Sequence, residues 1–242
     1  RFRGFWHTHE YETTARELEQ LQKLLPIEAS LLSQAQQHQA VASDLYRGGV
    51  VYHQHAAINP AKWVFGLHRA AVDHGALIQG NTAVLGLQKS PHGYLVNTVR
   101  GMVKAGKVLL ATNGYTPPQM AALHRRVFPV PSFIITTENL GRERIKQLFP
   151  SDMMVVESRA RHCYYRPSPD KTRIVFGARA ALFDAPEKFA MGQLQKLLGQ
   201  VFPQLGQIDI SHSWRGFTGF SFEFMPHVGQ IDGVWHAAGY SG

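Results

Sequence analysis

The stretch Val108-Leu109-Leu110-Ala111-Thr112-Asn113-Gly114-Tyr115 decides how this chain reads. A short apolar run that ends in turn-forming residues reads as a buried strand leaving the sheet. Gly114 has no Cβ, so the backbone of the turn can come close to a ligand. A plain strand-to-turn exit is the alternative. Upstream, Thr82-Ala83-Val84-Leu85-Gly86-Leu87 and Tyr94 to Val99 read as strands, with a tight turn near Arg100-Gly101 and a short Met102-Val103-Lys104. Ala76-Leu77-Ile78 also reads as β. A helix over 60–74 precedes it, with Asn59 placed to cap it, Pro60 in its first turn and Gly75 at the left-handed C-terminal position.

Further out, Tyr11, Ala15, Leu18, Leu21 and Leu25 lie at helical spacing over 8–25 until Pro26 interrupts. A second helix is predicted across Ala29 to Ala35, then a strand at Gly49-Val50-Val51-Tyr52-His53. The second half is rich in strands: Val127 to Thr137, Met153 to Val156, Cys163 to Arg166, Arg173 to Phe176 and Ile208 to Trp214. A helix from Pro186 to Leu198 lies among them, with Phe189, Leu194, Leu197 and Leu198 expected to face inward. The last strands are expected near Pro226–Gly229 and Val234–Ala237. The fold class is α/β (α+β), a long antiparallel section embedded in βα material without repeat or linker, so its domains interleave.

Of the 242 residues, 44% are hydrophobic and 17% charged, the composition of a globular chain with a real core. No apolar run is long enough to span a membrane as a helix. The formal charge of +8 invites a nucleic-acid reading, but Arg and Lys are scattered and no recognition motif accompanies them. The single cysteine, Cys163, excludes an intramolecular disulfide and suits a reducing cytoplasm. Thirteen histidines include the pairs His7/His9 and His53/His55, but no third ligand stands at metal-site spacing, so no metal is expected.

Six pieces in order resemble one family. They are Gly48–Tyr52; Asn59-Pro60 with the Gly66-Leu67 helix; Gly75-Ala76 with Thr82–Val84; Val99-Arg100-Gly101 with Lys107–Tyr115; Trp214-Arg215-Gly216 with Met225–Gly229; and Ala238-Gly239-Tyr240-Ser241-Gly242. Together they are similar to the D-amino-acid oxidase, glycine oxidase and sarcosine oxidase superfamily, and closest in style to its γ-glutamylputrescine oxidase-like branch. The resemblance implies a Rossmann-like FAD domain interleaved with a substrate domain on a large, mostly antiparallel sheet. It also implies oxidation of a C–N bond in a small amine or amino acid, with hydride passing to flavin N5 and the imine then hydrolysed. The expected division is 1–47 as a helical boundary segment, 48–126 mainly FAD domain, 127–215 substrate domain, and 216–242 returning to the FAD domain.

On this resemblance the cofactor-facing residues are Thr82, Val84, Ala111, Thr112, Asn113, Gly114, Gly239, Tyr240, Ser241 and Gly242. Their alternatives are a sheet edge and ordinary tight turns. Tyr164 and Arg166 are expected on one face of a strand and Tyr165 on the other. An Arg beside a Tyr hydroxyl suits a carboxylate, because guanidinium matches it bidentately, whereas an aromatic strand ending in a solvated Arg is the competing picture. Arg215 suits a carboxylate in the same way. Phe217 and Phe220 belong to an aromatic cluster with Phe222 and Phe224, either walling a substrate pocket or packing a core. His227 and Tyr165 are the catalytic candidates.

The family's opening G-x-G-x-x-G turn does not occur here, and Gly48-Gly49 and Gly216/Gly219 have the wrong spacing for it. The start at Arg1 and the stop within a turn at Gly242 are expected to be interior points of a longer chain. The Rossmann-like FAD domain is therefore expected to be incomplete. The competing functional readings are a catalytically silent substrate-domain fragment or binding module that no longer holds FAD, and an FAD-linked dehydrogenase of hydroxy acids.

Overall fold

The computed structural model describes residues 1–179 and 184–241. In chain order the elements are β1 (Phe2–Gly4), α1 (Thr8–Leu24), β2 (Ala29–Ser33), β3 (Gly48–Tyr52), α2 (Pro60–Asp73), β4 (Val84–Ser90), β5 (Gly93–Thr98), β6 (Gly101–Ala105) and β7 (Leu109–Leu110). There follow α3 (Ala121–His124), β8 (Phe128–Thr137), α4 (Arg142–Leu148), β9 (Val155–Glu157), β10 (Tyr164–Pro167), β11 (Ile174–Ala178), α5 (Glu187–Val201), β12 (Ile210–Phe220), β13 (His227–Ile231) and β14 (Val234–Ala238). They fall into two compact units, Arg1–Asn59 with Ser132–Gly216, and Pro60–Pro131 with Phe217–Gly242.

The first unit is organised by an eight-stranded sheet in the order β12-β8-β11-β10-β9-β1-β3-β2. β1 and β9 are parallel, whereas the β2–β3, β1–β3, β9–β10, β10–β11 and β8–β11 pairs are antiparallel. Register sets Phe2, Val155, Tyr165, Phe176 and Ile135 side by side in one row. All five are at most 2% exposed, and α5 adds Ala190, Leu194, Leu197, Leu198 and Val201 to the same core. Each such large apolar side chain contributes roughly 1.5–3 kcal/mol on burial. The neighbouring row, Arg3, Val156, Tyr164, Gly177 and Ile134, points to the opposite face, and all but Gly177 are half-buried. There, α1 covers the β1–β3 end through Leu18 against Phe5 and Val50. Gly4 is required on the core face, because a Cβ would lie 2.7 Å from the Tyr46 ring.

The second unit holds two three-stranded sheets, β13-β14-β7 and the antiparallel β4-β5-β6. β14 runs parallel to β7, with Trp235 opposite Leu109 and His236 opposite Leu110. Leu123, Val127 and Ala238 form its small core. α2 begins at Pro60 and ends as the spacing predicts, with Gly75 at φ 87° and its N–H on the Val72 carbonyl.

Four expectations about local structure are corrected. Residues 29–33 are not helical: Ala29–Ser33 is the edge strand β2, because antiparallel pairing with β3 overrides helix propensity, and a 3₁₀ turn begins only at Gln34. Ala76-Leu77-Ile78 forms no strand, and Leu77 is 100% exposed. Phe189 does not face inward; it is 49% exposed on α5. β12 does not stop at Trp214 but continues to Phe220 through Gly216 and Gly219.

Candidate functional site

The second unit brings three turns together. β7 and β14 are parallel neighbours, so their carboxyl ends leave the sheet at one edge, where open α/β sheets take ligands. The chain after β7 forms a single 3₁₀ turn, Asn113–Tyr115, with Asn113 in the left-handed region at φ 46°. After β14 come Gly239 at φ 79° and Ser241 at φ 61°. Asn113 Oδ1 accepts the Gly239 N–H at 2.9 Å. The end of β12 is the third member: the Ser241 N–H donates to the Gly219 carbonyl at 3.0 Å, and the Phe217 N–H to the Tyr115 hydroxyl at 3.0 Å.

Glycine is needed where these backbones meet. A Cβ on Gly219 would sit 2.2 Å from Asn113 Oδ1, and one on Gly114 would sit 3.0 Å from the Gly219 nitrogen and the Phe217 carbonyl. Sequence reasoning counted Gly219 only as a failed dinucleotide spacing, whereas its role is this close approach. Asn113, Gly114, Gly239, Tyr240, Ser241 and Phe217 are thus assembled in one place, with Ala111 and Thr112 exposed at its margin. Tyr115 packs edge-on against Phe217, and Tyr115 and Tyr240 are both more than half exposed. Phe220 is buried, stacking on Phe128 at 6.0 Å, while Phe222 and Phe224 are exposed. Thr82 and Val84 stand apart from these bonds, at the start of the β4-β5-β6 sheet, where the Thr82 hydroxyl donates to the Gly80 carbonyl. Gly242 lies outside the described residues.

His227 opens β13 opposite Ala238, beside the Gly239 turn. It is exposed, and its Nε2 pairs with Glu223 at 3.1 Å. Hydrogen bonds from the Glu223 backbone and from His227 hold that carboxyl below its usual range. Glu223 was not foreseen as the partner of His227. It stands four residues earlier, a spacing that becomes informative only once the turn between them is known.

In the first unit, β10 separates its residues as alternation requires. Tyr164 and Arg166 share the partly open face: the Tyr164 hydroxyl bonds Ser132, and Arg166 donates to the Ile58 carbonyl at 2.9 Å. Tyr165 points into the core, where its hydroxyl meets that of Tyr46 at 2.5 Å. Tyr46 in turn donates to Glu157, which is 1% exposed and ion-paired to Arg159 at 2.5 Å. Burial pushes the Tyr165, Tyr46 and Cys163 acidities well to the weak side of normal. Such a group is built to stay neutral and hold position. Arg215 is ion-paired to Asp184. Among the described residues no group of three or more His, Cys, Asp or Glu is arranged to hold a metal, and no helix is long and apolar enough to cross a membrane.

Comparison with known proteins gives the family. The family model "FAD dependent oxidoreductase" (DAO) matches residues 1–242, and the chain belongs to that family. It is 31% identical over 209 residues to the probable oxidoreductase OrdL of Haemophilus influenzae, covering 84% of this chain and 47% of that protein. It is 30% identical over 209 residues to the gamma-glutamylputrescine oxidoreductase of Escherichia coli, again with 84% and 47% covered. The chain therefore spans about half the length of the curated relatives it matches. Glycine oxidase from Geobacillus kaustophilus shares the fold at a TM-score of 0.81 and 17% identity, over 99% of this chain and 65% of that one. L-proline dehydrogenase from P. horikoshii does so at 0.78 and 19%, over 100% and 66%.

Proposed function

We propose that this chain carries the flavin-edge and substrate-side machinery of an oxidoreductase that oxidises the C–N bond of an amine or amino acid. The observation that carries the reading is the bond from the Gly239 N–H to Asn113 Oδ1, which fastens the turns after two parallel strands into one exposed edge. Residues 113, 239 and 241 are all left-handed, and Tyr115 and Tyr240 offer exposed aromatic surface beside them. This set, close-packed backbone flanked by exposed rings, suits the near approach of a planar ring such as the flavin of FAD. Bound there, FAD supplies the acceptor for the hydride leaving the substrate carbon.

The protein's part is placement. Asn113, Gly114, Gly239, Tyr240 and Ser241 hold the cofactor edge, with Ala111 and Thr112 at its margin and Thr82 and Val84 in a more distant supporting role. Phe217 braces Tyr115, and Phe220 anchors the aromatic cluster from within. His227, poised by Glu223, is the exposed proton-holding group next to the Gly239 turn. Tyr164 and Arg166 orient the substrate, Arg166 through its guanidinium. Tyr165 is assigned a supporting role beneath them, because its hydroxyl is sealed in the Tyr46–Glu157 network. A reducing cytoplasm, expected from the single Cys163, is part of the same proposal. Visible absorption after incubation with FAD and desalting tests it: the reading expects retained flavin and predicts its loss in Asn113→Ala.

A further inference from the structure

The partly open face of the large sheet carries three arginines around one strand. Arg3 lies opposite Val156 on β9, and Val156 lies opposite Tyr164 on β10, so Arg3 and Tyr164 face the same side. Two strand spacings put their Cα atoms roughly 10 Å apart. Arg1 precedes Arg3 by two residues and projects from the same side, with its guanidinium 5.1 Å from the Tyr52 ring centre. Arg166 follows Tyr164 by two residues, and since β10 runs against β9 while β1 runs with it, Arg166 lies toward the same end as Arg1.

Charge makes this arrangement notable. Among the described residues none of Arg1, Arg3 and Arg166 has a carboxylate partner, whereas Arg159 and Arg215 are paired to Glu157 and Asp184. Arg3 rests its guanidinium 5.2 Å from the Phe5 ring centre, which fixes the side chain without neutralising it, and Arg1 Nε is buried with no hydrogen-bond partner. Desolvation, and after it the Arg1 charge, hold the exposed His55 imidazole below its usual range. One carboxylate occupies one guanidinium fork bidentately, so a single acid leaves the set under-neutralised.

We infer that the face bounded by Arg1, Arg3, Tyr164 and Arg166 binds a small dicarboxylate, one acid group on Arg166 and the other on Arg3 and Arg1. The substrate class narrows accordingly to amines that carry two acid groups at their non-reacting end; this narrowing rests on the first unit being the substrate side of the protein.

The test is a thermal-shift titration of this chain with glutarate, against butyrate and sodium chloride at matched ionic strength. Glutarate is expected to raise Tm saturably, with butyrate at least about tenfold less effective. Arg3→Gln and Arg166→Gln are each expected to weaken the apparent affinity for glutarate about tenfold. Arg3→Lys and Arg166→Lys, which keep the charge but lose the fork, give intermediate values and serve if the Gln variants fold poorly. Arg215→Gln leaves the response unchanged. No glutarate shift, an equal shift with butyrate, or an unchanged response in both Arg3 and Arg166 variants overturns the inference. Asn113→Ala separates the two readings, since it removes flavin binding and leaves the glutarate response intact. Glutarate binding without flavin binding refutes the proposed function alone, and the reverse refutes this inference alone.

Discussion

Asn113 Oδ1 accepts the backbone N–H of Gly239 at 2.9 Å across 126 residues of sequence. A side-chain amide is the right device here, because Asn tolerates the left-handed backbone at φ 46° and still presents an acceptor. Asn113→Ala loses both properties and is expected to cost about 1–3 kcal/mol and to weaken flavin binding at least tenfold. Asn113→Asp keeps the acceptor and is expected to fall much closer to the parent chain in a flavin titration.

Gly219→Ala tests the close approach of the three turns. The new methyl meets Asn113 Oδ1 at 2.2 Å and the Gly114 nitrogen at 2.7 Å, so the turns must separate. An overpacking cost of about 1–3 kcal/mol is expected, together with weakened flavin binding. Gly192→Ala on α5 is the contrasting change: nothing lies within 4 Å of its Cβ position, and a helical glycine replaced by alanine stabilises by roughly 0.5–1 kcal/mol. Chemical denaturation of both variants decides the signs.

Tyr165→Phe removes a hydroxyl bonded to Tyr46 inside the core. It is expected to cost about 1–2 kcal/mol in denaturant and to leave flavin binding unchanged. In the same cluster, Cys163 is buried with its thiol acidity weakened, first by desolvation and then by the Glu157 charge. The folded protein therefore keeps the thiol proton where the unfolded chain loses it, and stability falls as pH rises through about 9. Cys163→Ser is expected to shrink that alkaline loss, and the native thiol should resist a disulfide reagent that labels it in denaturant.

His236 gives the acid-side counterpart. Desolvation, then the neighbouring His227 and Arg126 charges, hold it below the usual 6.5, and its Nδ1 has no partner. The unfolded chain takes up a proton first, so this group contributes stability above pH 6.5 that is lost as pH falls toward its folded value. His236→Phe is expected to flatten the loss of Tm between neutral and mildly acid pH relative to the parent chain.

The sequence made some of this legible for physical reasons. Alternation put Tyr164 and Arg166 on one side of β10 and Tyr165 on the other, and the paired Pro60 and Gly75 bounded α2. Leu109–Tyr115 was readable as a strand running out into a turn, because an apolar run that meets Asn-Gly ends there. What stayed hidden depends on register. Ala29–Ser33 is a strand only because β3 pairs with it, and Gly219 matters only through Asn113. That Arg3 and Tyr164 share one face, two strands apart, follows from two ladders, β1–β9 and β9–β10, that no local pattern encodes.

The most direct test of the central claim is a titration of FAD into the purified chain, following flavin fluorescence, alongside Asn113→Ala. Saturable quenching in the parent chain that weakens at least tenfold in the variant is the result expected from the tied turns. No saturable quenching, or the same affinity in both proteins, would contradict the assignment of the Asn113–Gly239 edge as the flavin contact.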